Sequence, residues 1–169
     1  MSNQAVFLLV EDSDDDALLI KRAFARANVL NPLHLVRGGA EALEYLGGTS
    51  RYANRDEYPL PAIVLLDLKM PGIDGFEVLR WIRLQPGLKA LRVVVLSSSD
   101  NLRDVTLAYQ LGANSFLIKP VDFERFVEIS QAISGYWLWM NEAPETFRPP
   151  PPQLSAGANE LRPGRLPRP

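Results

Sequence analysis

Five polar residues of this chain follow short apolar runs directly. Glu11 and Asp12 follow residues 5–10, Asp67 follows 62–66, Ser97 follows 92–96, and Lys119, with Pro120 behind it, follows 115–118. Three of the five are carboxylates. Brought into one crevice they would repel, each pair at ~4 Å costing about 1 kcal/mol in water and about 4 kcal/mol at an effective dielectric near 20. A divalent cation relieves that repulsion, and an all-oxygen donor set suits Mg²⁺ better than zinc. The same cation leaves a coordination position for a phosphate oxygen. Lys119 offers a compact positive charge to a second oxygen and Ser97 a hydrogen bond to a third. Asp67, at the end of the middle run, is then the natural nucleophile for an in-line phosphoryl transfer.

That chemistry requires the runs to lie side by side with their ends on one edge. Five runs rich in Val, Ile, Leu and Phe recur, at residues 5–10, 33–36, 62–66, 92–96 and 115–118. Near-continuous hydrophobicity at this length is the mark of a strand covered on both faces, as in parallel sheets. Between the runs lie stretches with helical periodicity: Leu18, Leu19, Ala23 and Phe24, then Phe76, Leu79 and Ile82. Ser13 stands three residues before Asp16 as a helix-starting cap, and the acidic run 14–16 suits the positive end of that helix. Gly112 is placed to stop a helix over 102–111. Strand and helix alternating five times predict a doubly wound α/β fold with a five-stranded parallel sheet and helices on both faces. In such sheets ligands bind beyond the carboxyl ends of the strands, where the polar residues fall. The second strand, ending near Arg37, brings no comparable group, and residues 47–61 form a longer polar connection.

The totals narrow the classes. The chain has 169 residues, 47% apolar and 22% charged, with a net charge of −2, so neither nucleic acid nor an anionic membrane is an expected partner. With no cysteine, disulfides, thiolate catalysis and Cys-based metal sites are excluded. The apolar runs fall far short of the ~20 residues of a membrane helix, no basic region precedes the first of them, and the expected location is the cytoplasm. Residues 1–143 are read as the folded domain, with a lengthened last helix. Residues 144–169 hold eight of the 14 prolines and are read as a flexible tail with no output domain.

The motifs Phe7-Leu8-Leu9-Val10-Glu11-Asp12-Ser13, Val64-Leu65-Leu66-Asp67-Leu68-Lys69-Met70-Pro71-Gly72-Ile73-Asp74-Gly75, Val93-Val94-Val95-Leu96-Ser97-Ser98-Ser99 and Phe116-Leu117-Ile118-Lys119-Pro120 resemble the signature of response-regulator receiver domains over roughly residues 5–135. The resemblance implies the strand order 2-1-3-4-5 and a signalling domain that catalyses only its own phosphotransfer and dephosphorylation. It implies Asp67 as phospho-acceptor, Lys119 and Ser97 at the phosphate, and Ser97 with Phe116 as the switch pair. Mg²⁺ would be held by Asp12, Asp67 and the Lys69 backbone carbonyl, with Glu11 acting through water. A cis Lys119–Pro120 bond is expected as well. The chain departs from the common pattern in carrying Glu11-Asp12 rather than Asp-Asp, and Phe116 rather than Tyr.

The connection at 47–61 and the Leu-Ser-Ser-Ser run resemble the small regulators paired with bacterial and cyanobacterial phytochromes, which implies a sensor histidine kinase, in that subfamily a bacteriophytochrome, as phosphoryl donor. A phosphate sink or a phosphorylation-independent interaction module is the alternative. A haloacid-dehalogenase-type phosphatase needs an acid two residues after its nucleophile, where this chain has Lys69. A flavodoxin-type carrier needs a phosphate-donating first loop, where this one is Glu-Asp-Ser-Asp-Asp-Asp. His34 is read as structural, and Asp74 and Gly75 as turn and cap residues. Tyr136, Trp137, Leu138, Trp139 and Met140 are read as an aromatic patch for homodimerisation through the last helix.

Overall fold

The computed structural model describes residues 5–144. Five strands, β1 (Phe7–Val10), β2 (Leu33–Val36), β3 (Ile63–Leu66), β4 (Arg92–Ser97) and β5 (Ser115–Ile118), form one parallel sheet in the order β2-β1-β3-β4-β5. Five helices alternate with them: α1 (Asp14–Arg26), α2 (Gly39–Gly47), α3 (Gly75–Leu84), α4 (Leu102–Gln110) and α5 (Phe123–Ser134). The expected topology is the observed one. From residue 145 the proline-rich segment lies outside the described residues.

Alternation along each strand divides the core into two layers. Leu8, Val10, Val64, Leu66, Val93 and Val95 face α2, α3 and α4, packing on Ala42, Val78, Leu79, Ile82 and Ala108. Phe7, Leu9, Ile63, Leu65, Val94 and Leu96 face α1 and α5, packing on Ile20, Ala23, Phe24, Phe126 and Val127. Each fully buried aliphatic or aromatic side chain contributes roughly 1.5–3 kcal/mol, enough to hold charged groups together at the strand tips. In α1 the buried stripe is Ala17, Ile20, Ala23 and Phe24, whereas Leu18 is exposed. Of the expected stripe, Ala23 and Phe24 are buried and Leu19 packs against the same layer, while Leu18 gives way to Ala17 and Ile20.

The caps are local and readable. The Ser13 hydroxyl accepts from the Asp16 N–H (3.3 Å), and Asp74 and Glu77 form a full capping box on α3. Past the end of α4, Gly112 takes φ of +96°, a conformation that suits glycine. The connection at 47–61, expected to be merely polar, is ordered by aromatic packing: Tyr45, Tyr52 and Tyr58 pack ring against ring at 4.9–6.0 Å. Arg55 donates to the carbonyls of Tyr45 (2.7 Å) and Leu46 (2.8 Å) at the end of α2.

Beyond α5 the chain continues as a π-helical segment, Gly135–Met140. Leu138 is buried there and Trp137 half-buried against the α1/α5 layer, while Tyr136, Trp139 and Met140 are exposed. No helix among the described residues is long and apolar enough to cross a membrane.

Candidate functional site

The strand order reverses between β1 and β3, and the crevice beyond their carboxyl ends is where such sheets bind ligands. Glu11 and Asp12 leave β1 there and Asp67 leaves β3, tied to its neighbour by the Asp67 N–H donating to the Val10 carbonyl (3.1 Å). One carboxylate oxygen from each of Glu11, Asp12 and Asp67 lies within 4.8 Å of the other two. Lys119 reaches in from the end of β5. Its ammonium donates to Glu11 Oε2 (2.5 Å) and to Asp16 Oδ2 (2.8 Å), and stands 3.6 Å from Asp67 Oδ1. These four residues, from three separate strand ends, thus lie together at one edge of the sheet.

Burial shapes the electrostatics. It raises the Asp67 carboxyl above the ordinary carboxylate range, and Asp12 adds to the rise, against the Lys119 charge and the N–H groups of Lys69 and Leu68. Glu11 is raised as well, again first by burial, despite its bond to Lys119. Burial alone would lower Lys119, but the bonds to Asp16 and Glu11 and the charge of Asp67 outweigh it and raise the group. Asp67 Oδ1 is buried without a hydrogen-bond partner. A buried anionic oxygen left in that condition is costly, and one beside two further carboxylates fits a hard divalent cation.

The remaining expected residues sit around this cluster. Ser97 ends β4, fully buried, its hydroxyl accepting from the Ser99 N–H (3.1 Å). The Lys119 N–H donates to the Ser97 carbonyl (2.8 Å), so the tips of β4 and β5 are joined. Phe116 is half-buried on β5 and packs against the α2/α3/α4 layer. The Lys69 side chain turns away to Asp104 in α4 (3.0 Å), which also accepts from the Ser99 hydroxyl (2.8 Å), so only the backbone of Lys69 remains beside Asp67.

Gly75 shows why α3 can begin so close to the acceptor loop. A Cβ there would stand 2.2 Å from the Asp67 carbonyl oxygen and 2.7 Å from Leu68 Cα, both backbone atoms. His34 Nδ1 lies 2.8 Å from the Tyr45 hydroxyl, which donates to the Pro59 carbonyl (3.0 Å). These bonds tie β2 to α2 and to the connection at 47–61.

One expectation fails. No cis peptide bond occurs among the described residues, so Lys119–Pro120 is trans, the isomer an X–Pro bond favours by roughly 0.5–1 kcal/mol. Asp16 is the residue that sequence reasoning passed over, because it was taken only as a favourable charge at the start of α1. Its position in the first turn of α1, four residues after Asp12, was the available signal. The lysine it meets comes from 103 residues further along the chain.

A five-stranded 2-1-3-4-5 sheet bearing three acids, a buried hydroxyl and a lysine at its carboxyl edge defines a phosphorylation-signalling class of α/β domain. Residues 7–131 match the response regulator receiver domain, and the chain belongs to that family, whose members signal through phosphorylation.

Among relatives, a probable methanogenesis regulatory protein, FilR2 of Methanothrix harundinacea, is 41% identical over 144 residues, covering 82% of this chain and 87% of FilR2. Response regulator Rcp1 of Synechocystis sp. is 37% identical over 133 residues, covering 79% of this chain and 88% of Rcp1. An Rcp1 crystal structure contains Mn²⁺. The crystal structure of response regulator RPA3017, of red light signalling in R. palustris, superposes with a TM-score of 0.79 at 37% identity, covering 83% of this chain and 98% of that one.

Proposed function

We propose that Asp67 accepts a phosphoryl group from the phosphohistidine of a sensor histidine kinase, in a Mg²⁺-dependent transfer. The observation that carries this is the buried, unpartnered Asp67 Oδ1 beside two carboxylates and one lysine. Asp12, Asp67 and the Lys69 backbone carbonyl would hold the metal, with Glu11 acting through water. When bound, Mg²⁺ supplies charge that offsets the carboxylates and the incoming phosphoryl oxygens.

The Asp67 carboxylate attacks phosphorus in line as the P–N bond to the donor histidine breaks, so one P–O bond replaces one P–N bond and the imidazole leaves. Lys119 steadies a phosphoryl oxygen. Ser97 gives up its bond from the Ser99 N–H and donates to another oxygen, and Phe116 moves inward behind it, shifting the population of the face made by α4, β5 and α5.

The red-light role of RPA3017 and the relationship to Rcp1 support a bacteriophytochrome as the kinase. Exposed Tyr136, Trp139 and Met140 support homodimerisation through the segment after α5, and Mg²⁺ as the resident metal is supported by the all-carboxylate donor set. The test is incubation with acetyl phosphate and Mg²⁺ followed by intact-mass measurement. A phosphoryl adduct on the native chain that is absent from Asp67→Asn is expected. Equal labelling of both chains overturns the assignment.

A further inference from the structure

The acceptor carboxylate faces an ammonium that is already engaged elsewhere. Of the carboxylates around Lys119 Nζ, Glu11 at 2.5 Å and Asp16 at 2.8 Å take hydrogen bonds, while Asp67 Oδ1 at 3.6 Å takes none. The Lys119 side chain is only 9% exposed, so where the ammonium sits is a packing decision and not a fluctuation at the surface. Glu11 is itself almost fully buried and cannot follow the ammonium far. Asp16 is different: it lies on the first turn of α1 with its side chain 42% exposed, and water can replace the lysine there. It is the partner Lys119 can leave.

We infer that Asp16 is a positioning residue that parks Lys119 away from Asp67 until a phosphoryl group arrives, and so sets how readily the site accepts one. The inference rests on the reading of Asp67 and Lys119 given above. In the parked state Asp16 holds the ammonium 3.6 Å from Asp67 Oδ1, so although one of its three N–H groups is left over, an incoming anionic group must draw it away from Asp16. Replacing the carboxylate with an amide weakens that hold, since a neutral oxygen accepts less strongly than an ionised one, without touching the metal-facing acids. Asp15 is the control, since it is exposed, carries the same charge one residue away and has no contact with Lys119.

The experiment is calorimetric titration of the full chain with beryllofluoride in saturating Mg²⁺, a phosphoryl mimic that needs the lysine. Asp16→Asn is expected to tighten binding about fivefold, the order of the difference between a net hydrogen bond to a charged group and one to a neutral group. Asp15→Asn should change it less than about twofold, as distant screened charges do. Asp16→Glu, which restores a carboxylate within reach of Lys119, should return the affinity towards that of the native chain, a rescue that a merely structural role for Asp16 would not give. Equal affinity in the native chain and Asp16→Asn overturns the inference, as does an equal gain in Asp15→Asn. If the native chain binds no beryllofluoride, the reading of the site itself falls and takes this inference with it.

Discussion

Replacing Asp67 with Asn should make the metal-free protein more stable, not less. At an effective dielectric near 20, Lys119 at 3.6 Å attracts the Asp67 charge by about 4.6 kcal/mol. Glu11, within 4.8 Å, repels it by at least about 3.5 kcal/mol, and exposed Asp12 by about 1 to 3.5 kcal/mol depending on how fully water screens it. The repulsion therefore matches the attraction at its lower end and exceeds it by about 2 kcal/mol at its upper end. To this is added the desolvation of a carboxylate that is 5% exposed, with one oxygen unpartnered, which costs several kcal/mol when uncompensated and which the N–H groups of Lys69 and Leu68 offset only in part.

Asn keeps the shape and removes the charge, and its amide can donate to the neighbouring acids. The expected gain is about 2 kcal/mol, or a rise in Tm of roughly 4–8 °C for a chain of this length. Urea unfolding in EDTA measures it. In millimolar Mg²⁺ the order should close or invert, because the native chain gains binding energy that the variant loses. A lower stability for Asp67→Asn in EDTA, or an equal response of both chains to Mg²⁺, would refute the electrostatic account.

Three further outcomes follow from the same geometry. Gly75→Ala forces a Cβ into the backbone at Asp67 and Leu68, and should cost about 2 kcal/mol in urea unfolding and weaken Mg²⁺ binding, whereas Gly87→Ala, with open space around it, should do neither. Lys69 and Asp104 form a half-exposed pair, so the double-mutant cycle of Lys69→Ala with Asp104→Asn should show a coupling of only about 0.5 kcal/mol, and a coupling several times larger would mean the pair is shielded from water. Burial holds His34 below its ordinary value of 6.5. A depressed histidine contributes stability that is present above pH 6.5 and lost as pH falls through the folded value, so the native chain should lose more stability than His34→Gln between pH 7 and 5, and parallel pH profiles would contradict this.

The amino-acid sequence by itself determined the sheet and which groups stand at its edge. Two-sided apolar runs such as Val64, Leu65 and Leu66, alternating with helical stretches, fit a parallel sheet covered on both faces, and the polar residues after four of the five runs then fall at one edge. Capping at Ser13 and Asp74 was equally legible, because a cap acts within three residues of its own position.

What lay further off in the chain was not legible. That Lys119 would bond to Asp16 rather than to Asp67, that the Lys69 side chain would leave the acceptor for Asp104, and that residues 47–61 would close on three tyrosines all depend on distances between segments far apart in the chain. Periodicity says which face a side chain takes. Only the packed tertiary structure decides, by desolvation and the competition of several carboxylates for one ammonium, which of the possible partners it meets.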